Sequence, residues 1–148
     1  MENKNFKQTE EALAEIYRNA QLALVSITDI LPSVEDEEVR SELHAQYEEY
    51  ERFSAKAAML ARDKGLELKE PNPIKKAMMW GSIKMNTLTD NSRSHIAEMM
   101  VQGTVMGITA LRTTAGELSP DGNESIISLI EEMIAKEEEF EKRWKAYL

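Results

Sequence analysis

The strongest constraint on this chain is the spacing of its apolar residues. Leu13, Ile16, Tyr17, Ala20, Ala23, Leu24, Ile27, Ile30 and Leu31 fall on one broad face at about 100° per residue. This spacing predicts a first helix from about Glu10 to Leu31, stopped by Pro32. Ser33 or Asp36 can cap a second helix, and the acidic run Glu35–Glu38 suits a first turn, where the helix dipole favours anions. The second stripe is Val39, Leu43, Gln46, Tyr50, Phe53, Ser54, Ala57 and Ala61, within a helix from about Val34 to Lys64, with Gly65 placed to end it. No run alternates with period two.

Leu66 to Pro73 reads as a loop, because Pro71 and Pro73 bracket Asn72. The pattern then resumes in constant phase: Ile74, Met78, Gly81, Met85, Leu88, Ser92, Ile96, Met99, Gly103, Met106 and Ala110. Across it lies Asn86–Ser94, rich in poor helix formers and good caps. Residues 74–117 therefore form either one long helix or two that break near Asp90. Ser119-Pro120-Asp121-Gly122-Asn123 is a turn. A last helix runs from about Glu124 to Tyr147, with Ile126, Leu129, Ile130, Met133, Glu137, Phe140, Trp144 and Leu148 on its face. Amphipathic helices of this number and length bury their stripes together, so the chain is expected to be a single all-α, four-helix-bundle domain over residues 1–148.

Chemistry in such a bundle comes from polar groups on the core faces. They are Tyr17 and Asn19 on the edges of the first stripe, Gln46 and Tyr50 on the second, His95 and Gln102 on the third, and Glu137 on the last. A buried carboxylate must be paired, protonated or bound to metal, which makes Glu137 the most informative acid in the chain. If the chain breaks near Asp90, the second and third main helices run parallel. Tyr17, Asn19, Gln46, Tyr50, Gln102 and Glu137 then share one central layer. If the third helix is continuous, the layer disperses. The candidate metal ligands are Glu137, His95 and Glu98, the last two at the i, i+3 spacing that aims two side chains at one ion.

Two antiparallel helix pairs joined by a long crossover, with a polar layer at mid-height, resemble the ferritin-like superfamily. The resemblance is architectural and spans most of the chain. It implies a long connection between the second and third main helices, which can carry a short helix of its own. It also implies a di-iron or di-manganese centre built from one carboxylate on each of two helices and Glu-x-x-His on each of the others. This sequence departs from that motif. It has Glu137-x-x-Phe140 and Gln46-x-x-Glu49, an amide at Gln102, and no carboxylate on the first stripe. The resemblance thus implies the family's fold with a degenerate centre and no cofactor. Iron or manganese held by an atypical ligand set is the alternative.

Composition narrows the function further. There are 18 Lys and Arg against 27 Asp and Glu, a net charge of −9. That balance disfavours nucleic acid and anionic membranes, whose affinity comes from phosphate neutralisation. The absence of cysteine excludes disulfide frameworks, thiolate metal sites and thiol nucleophiles. With no apolar stretch after the polar first residues, a cytoplasmic protein is expected. The third segment is also apolar opposite its main stripe, at Met79, Trp80, Ile83, Ala97, Val101, Val105 and Ile108. A helix apolar all round is buried on both sides, so a homodimer through Ile83, Val101, Val105 and Ile108 is expected, and Gly103 and Gly107 permit close approach of a neighbouring helix. The expected role is that of a non-catalytic binding or structural protein. The alternatives are a metal-binding ferritin-like protein and an acidic protein-interaction module.

Overall fold

The computed structural model describes residues 2–68 and 90–148, with side chains from Lys7 onward. Among these residues all regular structure is helical: α1 (Glu2–Ile30), a short 3-10 turn (Leu31–Ser33), α2 (Glu37–Asp63), α3 (Arg93–Glu117) and α4 (Glu124–Lys145). The four helices pack as a bundle. The possible helix within the long connection falls at residues 69–89, outside the described residues, as does Ile83 of the expected dimer face.

The helix ends follow local chemistry. Asp36 caps α2, its carboxylate accepting from the backbone N–H of Glu38 and Val39 at 3.0 and 3.2 Å. At the other end Gly65 adopts φ +70°. The N–H of Gly65 donates to Arg62 O and that of Leu66 to Ala61 O, the paired bonds of a Schellman motif. Glycine is required there because a Cβ disfavours the left-handed backbone. Ser92 caps α3 by accepting from the His95 N–H, and Asp90–Ser92 are not helical. The continuous third helix is thereby excluded: cap chemistry at Asp90–Ser92 decides against the constant apolar phase. α1, by contrast, starts about two turns before the expected Glu10, since nothing in Glu2–Thr9 stops a helix.

Contacts between helix ends fix the topology. Arg93 at the start of α3 bonds Asp36 at the start of α2, 2.6 Å apart, and Asn91 donates to Ser33 O at 2.9 Å. α2 and α3 therefore begin at the same end of the bundle and run parallel. Arg143 and Trp144, at the end of α4, reach Glu42 and Gln46 near the start of α2, so those helices are antiparallel. Thr9 donates to Asn123, 2.8 Å apart, placing the starts of α1 and α4 together. The result is two antiparallel pairs, α1/α2 and α3/α4. Gly65, after the end of α2, and Ser92, before the start of α3, therefore lie at opposite ends of the bundle, separated by about the 40 Å length of α2.

The core is built from the expected stripes of α1, α2 and α4. Every member of the α2 stripe is buried, Gln46 and Ser54 included. On α4 the stripe is buried from Ile126 to Trp144, while Leu148 is exposed. α3 differs. Its buried residues are Ile96, Ala97, Thr104, Ile108 and Leu111, whereas Gly103 and Met106 of the expected stripe are exposed. Periodicity could not choose a face because this helix is apolar nearly all round. Among the described residues of the expected dimer face, Ile108 is thus a core residue of its own bundle, Val101 is half-buried and Val105 is on the surface.

Candidate functional site

Each helix contributes one residue to a layer near the middle of the bundle, with Glu137 of α4 at its centre. Glu137 is only 1% exposed. Gly107 of α3 lies directly against it: a Cβ built on Gly107 would stand 2.6 Å from Glu137 Oε2 and 3.1 Å from both side-chain polar atoms of Asn19. Asn19 of α1 donates its Nδ2–H to the Gly107 carbonyl oxygen at 3.0 Å. Tyr50 of α2 completes the group. Its ring is buried and tilted against Phe140, one helical turn beyond Glu137, at a centroid distance of 5.6 Å.

The electrostatics of the layer follow from burial without compensation. Desolvation pushes the Glu137 carboxyl up to about 8, so it holds its proton near neutral pH. Its Oε1 has no hydrogen-bond partner. Burial raises the Tyr50 phenol well above its ordinary value, and the neighbouring Glu137 pushes it the same way. The layer therefore presents a neutral carboxyl, an amide, a phenol and a backbone carbonyl, with no lysine, arginine or imidazole among them.

No protein-family model matches the chain, and neither a curated protein nor a solved structure matches it. Its chemistry must therefore be read from these residues themselves.

Of the six residues expected in the layer, the structure brings together Asn19, Tyr50 and Glu137. Gln46 is buried about one turn towards the start of α2. There it accepts from Trp144 Nε1–H at 3.0 Å and donates to Glu42 at 2.9 Å. Tyr17 is half-buried against the apolar core. Gln102 is exposed, and its expected place opposite Glu137 is corrected to Gly107. Two causes combine: the buried face of α3 is rotated from the expected one, and the α3–α4 turn centres nearer Gly122 than Pro120.

The candidate metal ligands do not converge either. Among the described residues no group of three or more His, Asp or Glu side chains is placed to hold a metal ion. Glu98 is exposed. His95 sits on the first turn of α3, half-buried with Nε2 unpartnered, about 18 Å along the helix from Gly107. The i, i+3 spacing of His95 and Glu98 is real, but it lies three turns from the only buried carboxyl of α4.

The roles of two residues in the polar core were missed in the sequence. Trp144 lies on the α4 stripe, and a buried indole N–H needs an acceptor, so its bond to a core amide was a readable signal. Gly107 was noted only for close helix approach, together with Gly103, and the two prove to be unlike. Around Gly103 a Cβ would meet nothing within 4 Å. Gly103→Ala is accordingly expected to stabilise the bundle by about 1 kcal/mol, the helix-propensity difference, as an upward shift of the urea midpoint at unchanged m-value.

Proposed function

We propose that this chain is a non-catalytic, ferritin-like binding or structural protein of the cytoplasm, in which a protonated core glutamate occupies the level where relatives of that fold would hold metal. The observation that carries the reading is the isolation of Glu137. One residue from each helix meets at mid-height, as a carboxylate-bridged centre requires, yet Asn19, Tyr50 and Gly107 stand where further ligands would be needed. A metal site needs several ligands held together, and among the described residues no second carboxylate or imidazole joins Glu137. The two antiparallel pairs, joined between opposite ends of the bundle, support the ferritin-like topology. Among the described residues no helix is long and apolar enough to cross a membrane. The acidic surface disfavours nucleic acid, and the exposed apolar residues of α3 favour a homodimer.

Metal analysis tests this reading. Protein purified without chelator is expected to contain far less than one iron or manganese per chain, and added Fe(II) or Mn(II) is expected to leave the thermal midpoint unchanged. Near-stoichiometric metal that disappears in Glu137→Ala would overturn it.

A second reading, docking of a basic partner on an acidic surface, is favoured by a groove of about 400 Å³ between α1 and the end of α3, where Glu11 and Glu117 stand beside an Arg18–Glu15 ion pair. Such a partner would be released by salt.

A further inference from the structure

Among the described helices, α3 offers two copies a long outer face free of carboxylates. Exposed faces elsewhere carry Glu10 and Glu11 on α1, Glu48 and Glu51 on α2, and Glu138 and Glu139 on α4. On α3 no charged residue occurs between Glu98 and Arg112. Val105 and Met106, 41% and 69% exposed, sit at the middle of this uncharged strip, and few other large apolar side chains of the described chain are as exposed.

The charges that bound the strip are of opposite sign and symmetrically placed. Glu98 lies seven residues before Val105 and Arg112 seven after, so each falls within about 20° of Val105 around the helix axis. Both are exposed. A two-fold axis near Val105 that sets α3 antiparallel to a second α3 therefore brings Glu98 of each copy opposite Arg112 of the other. A parallel arrangement would oppose like charges. Arg112 already bonds Glu138 of its own chain, and a guanidinium has donors enough to serve a second carboxylate.

We infer that this face is the self-association surface of the protein: an antiparallel α3–α3 contact centred on Val105 and Met106 and bounded by two Glu98–Arg112 pairs. The inference rests on the homodimer reading above and replaces the core residue Ile108 in it. The strip is about 21 Å long and about 10 Å wide. That is well short of the ~800 Å² per partner of a standard interface, so the dimer is weak and reversible.

Sedimentation equilibrium from low-micromolar to millimolar concentration is the test. The unmodified chain is expected to pass from monomer to dimer across that range. Val105→Glu is expected to stay monomeric with an unchanged helical circular-dichroism spectrum, since Val105 is exposed and lies outside the buried core. Glu98→Arg and Arg112→Glu are each expected to weaken the dimer roughly tenfold, because each pair occurs twice. The double swap Glu98→Arg/Arg112→Glu is expected to restore it. The chain has no cysteine, so Val105→Cys supplies a single thiol that is expected to cross-link to its counterpart under mild oxidation, whereas Glu51→Cys on α2 does not. A chain monomeric at every concentration overturns both this face and the homodimer reading. A dimer indifferent to Val105→Glu and to the charge swaps overturns the face alone.

Discussion

Raising the pH from 5 to 8.5 is expected to destabilise the wild-type bundle steeply, and Glu137→Gln is expected to remove most of that slope. In the unfolded chain Glu137 releases its proton near its ordinary value of 4.5, while in the folded protein it holds the proton to about 8. Between those values the native state binds more protons than the unfolded state, so stability falls as pH rises. It is fully retained below about 4.5, and its loss is complete above about 8. At 1.36 kcal/mol per unit, the cost reaches roughly 3 kcal/mol at pH 7 and roughly 5 kcal/mol once the folded carboxyl ionises. That is a large share of the 5–15 kcal/mol typical of a domain.

The carboxyls held below their ordinary values do not confuse this window. Asp36 is lowered chiefly by its bond to Arg93, Asp90 by Ser92, and Glu132 by Arg52. Their stabilisation is present above the unfolded value and is lost only as pH falls through the lowered folded one, below the window where Glu137 acts. Urea unfolding of both proteins at half-unit steps of pH measures the difference directly. Two curves that run parallel from pH 5 to 8.5 would show that Glu137 ionises normally in the folded state. The expected crossing has the wild type equal or superior at pH 5, where the protonated acid and the amide are near isosteres, and inferior at pH 8.5.

Half the layer was legible in the sequence and half was not. On α2 and α4, charged residues alternate with the stripe at every turn, so the buried set could be read residue by residue, and Glu137 stood out as the carboxyl on the wrong side. On α3 that contrast is missing. Met99, Gly103 and Met106 looked as suitable for the core as Thr104, Ile108 and Leu111, and the wheel had no polar face to reject. The face was settled by three-dimensional fit: at Gly107 α3 presents no side chain to Asn19 of α1 and Glu137 of α4. A glycine marks such an approach only when its neighbours are known, which is why Gly103 and Gly107 were indistinguishable in sequence. Topology stayed open in the sequence, because the caps at Asp90 and Ser92 argued for a break and the constant apolar phase argued against one; the parallel arrangement of α2 and α3 follows once the caps prevail.

Gly107→Ala is the second large effect, and its sign depends on Glu137. Taken alone, the substitution favours the helix by up to about 1 kcal/mol. In the wild type its Cβ would lie 2.6 Å from Glu137 Oε2, and the Asn19 side chain at 3.1 Å closes the other direction. The nearest atom is the far end of the Glu137 side chain, and at 1% exposure that end is held inside the bundle rather than free to swing into water. Either Glu137 leaves its rotamer or α3 moves outward and strains the Asn19–Gly107 hydrogen bond. Overpacking of this kind costs about 1–3 kcal/mol, more than the propensity gain, so Gly107→Ala is expected to lower the thermal midpoint. In a Glu137→Ala background the colliding oxygen is gone and the new methyl helps fill the vacated volume. There the same substitution is expected to be neutral or stabilising. A double-mutant cycle at pH 6, where the acid is protonated in the folded state, isolates the packing from the ionisation described above. A Gly107→Ala penalty of equal size in both backgrounds would mean that the helix backbone, rather than the Glu137 carboxyl, is what Gly107 accommodates.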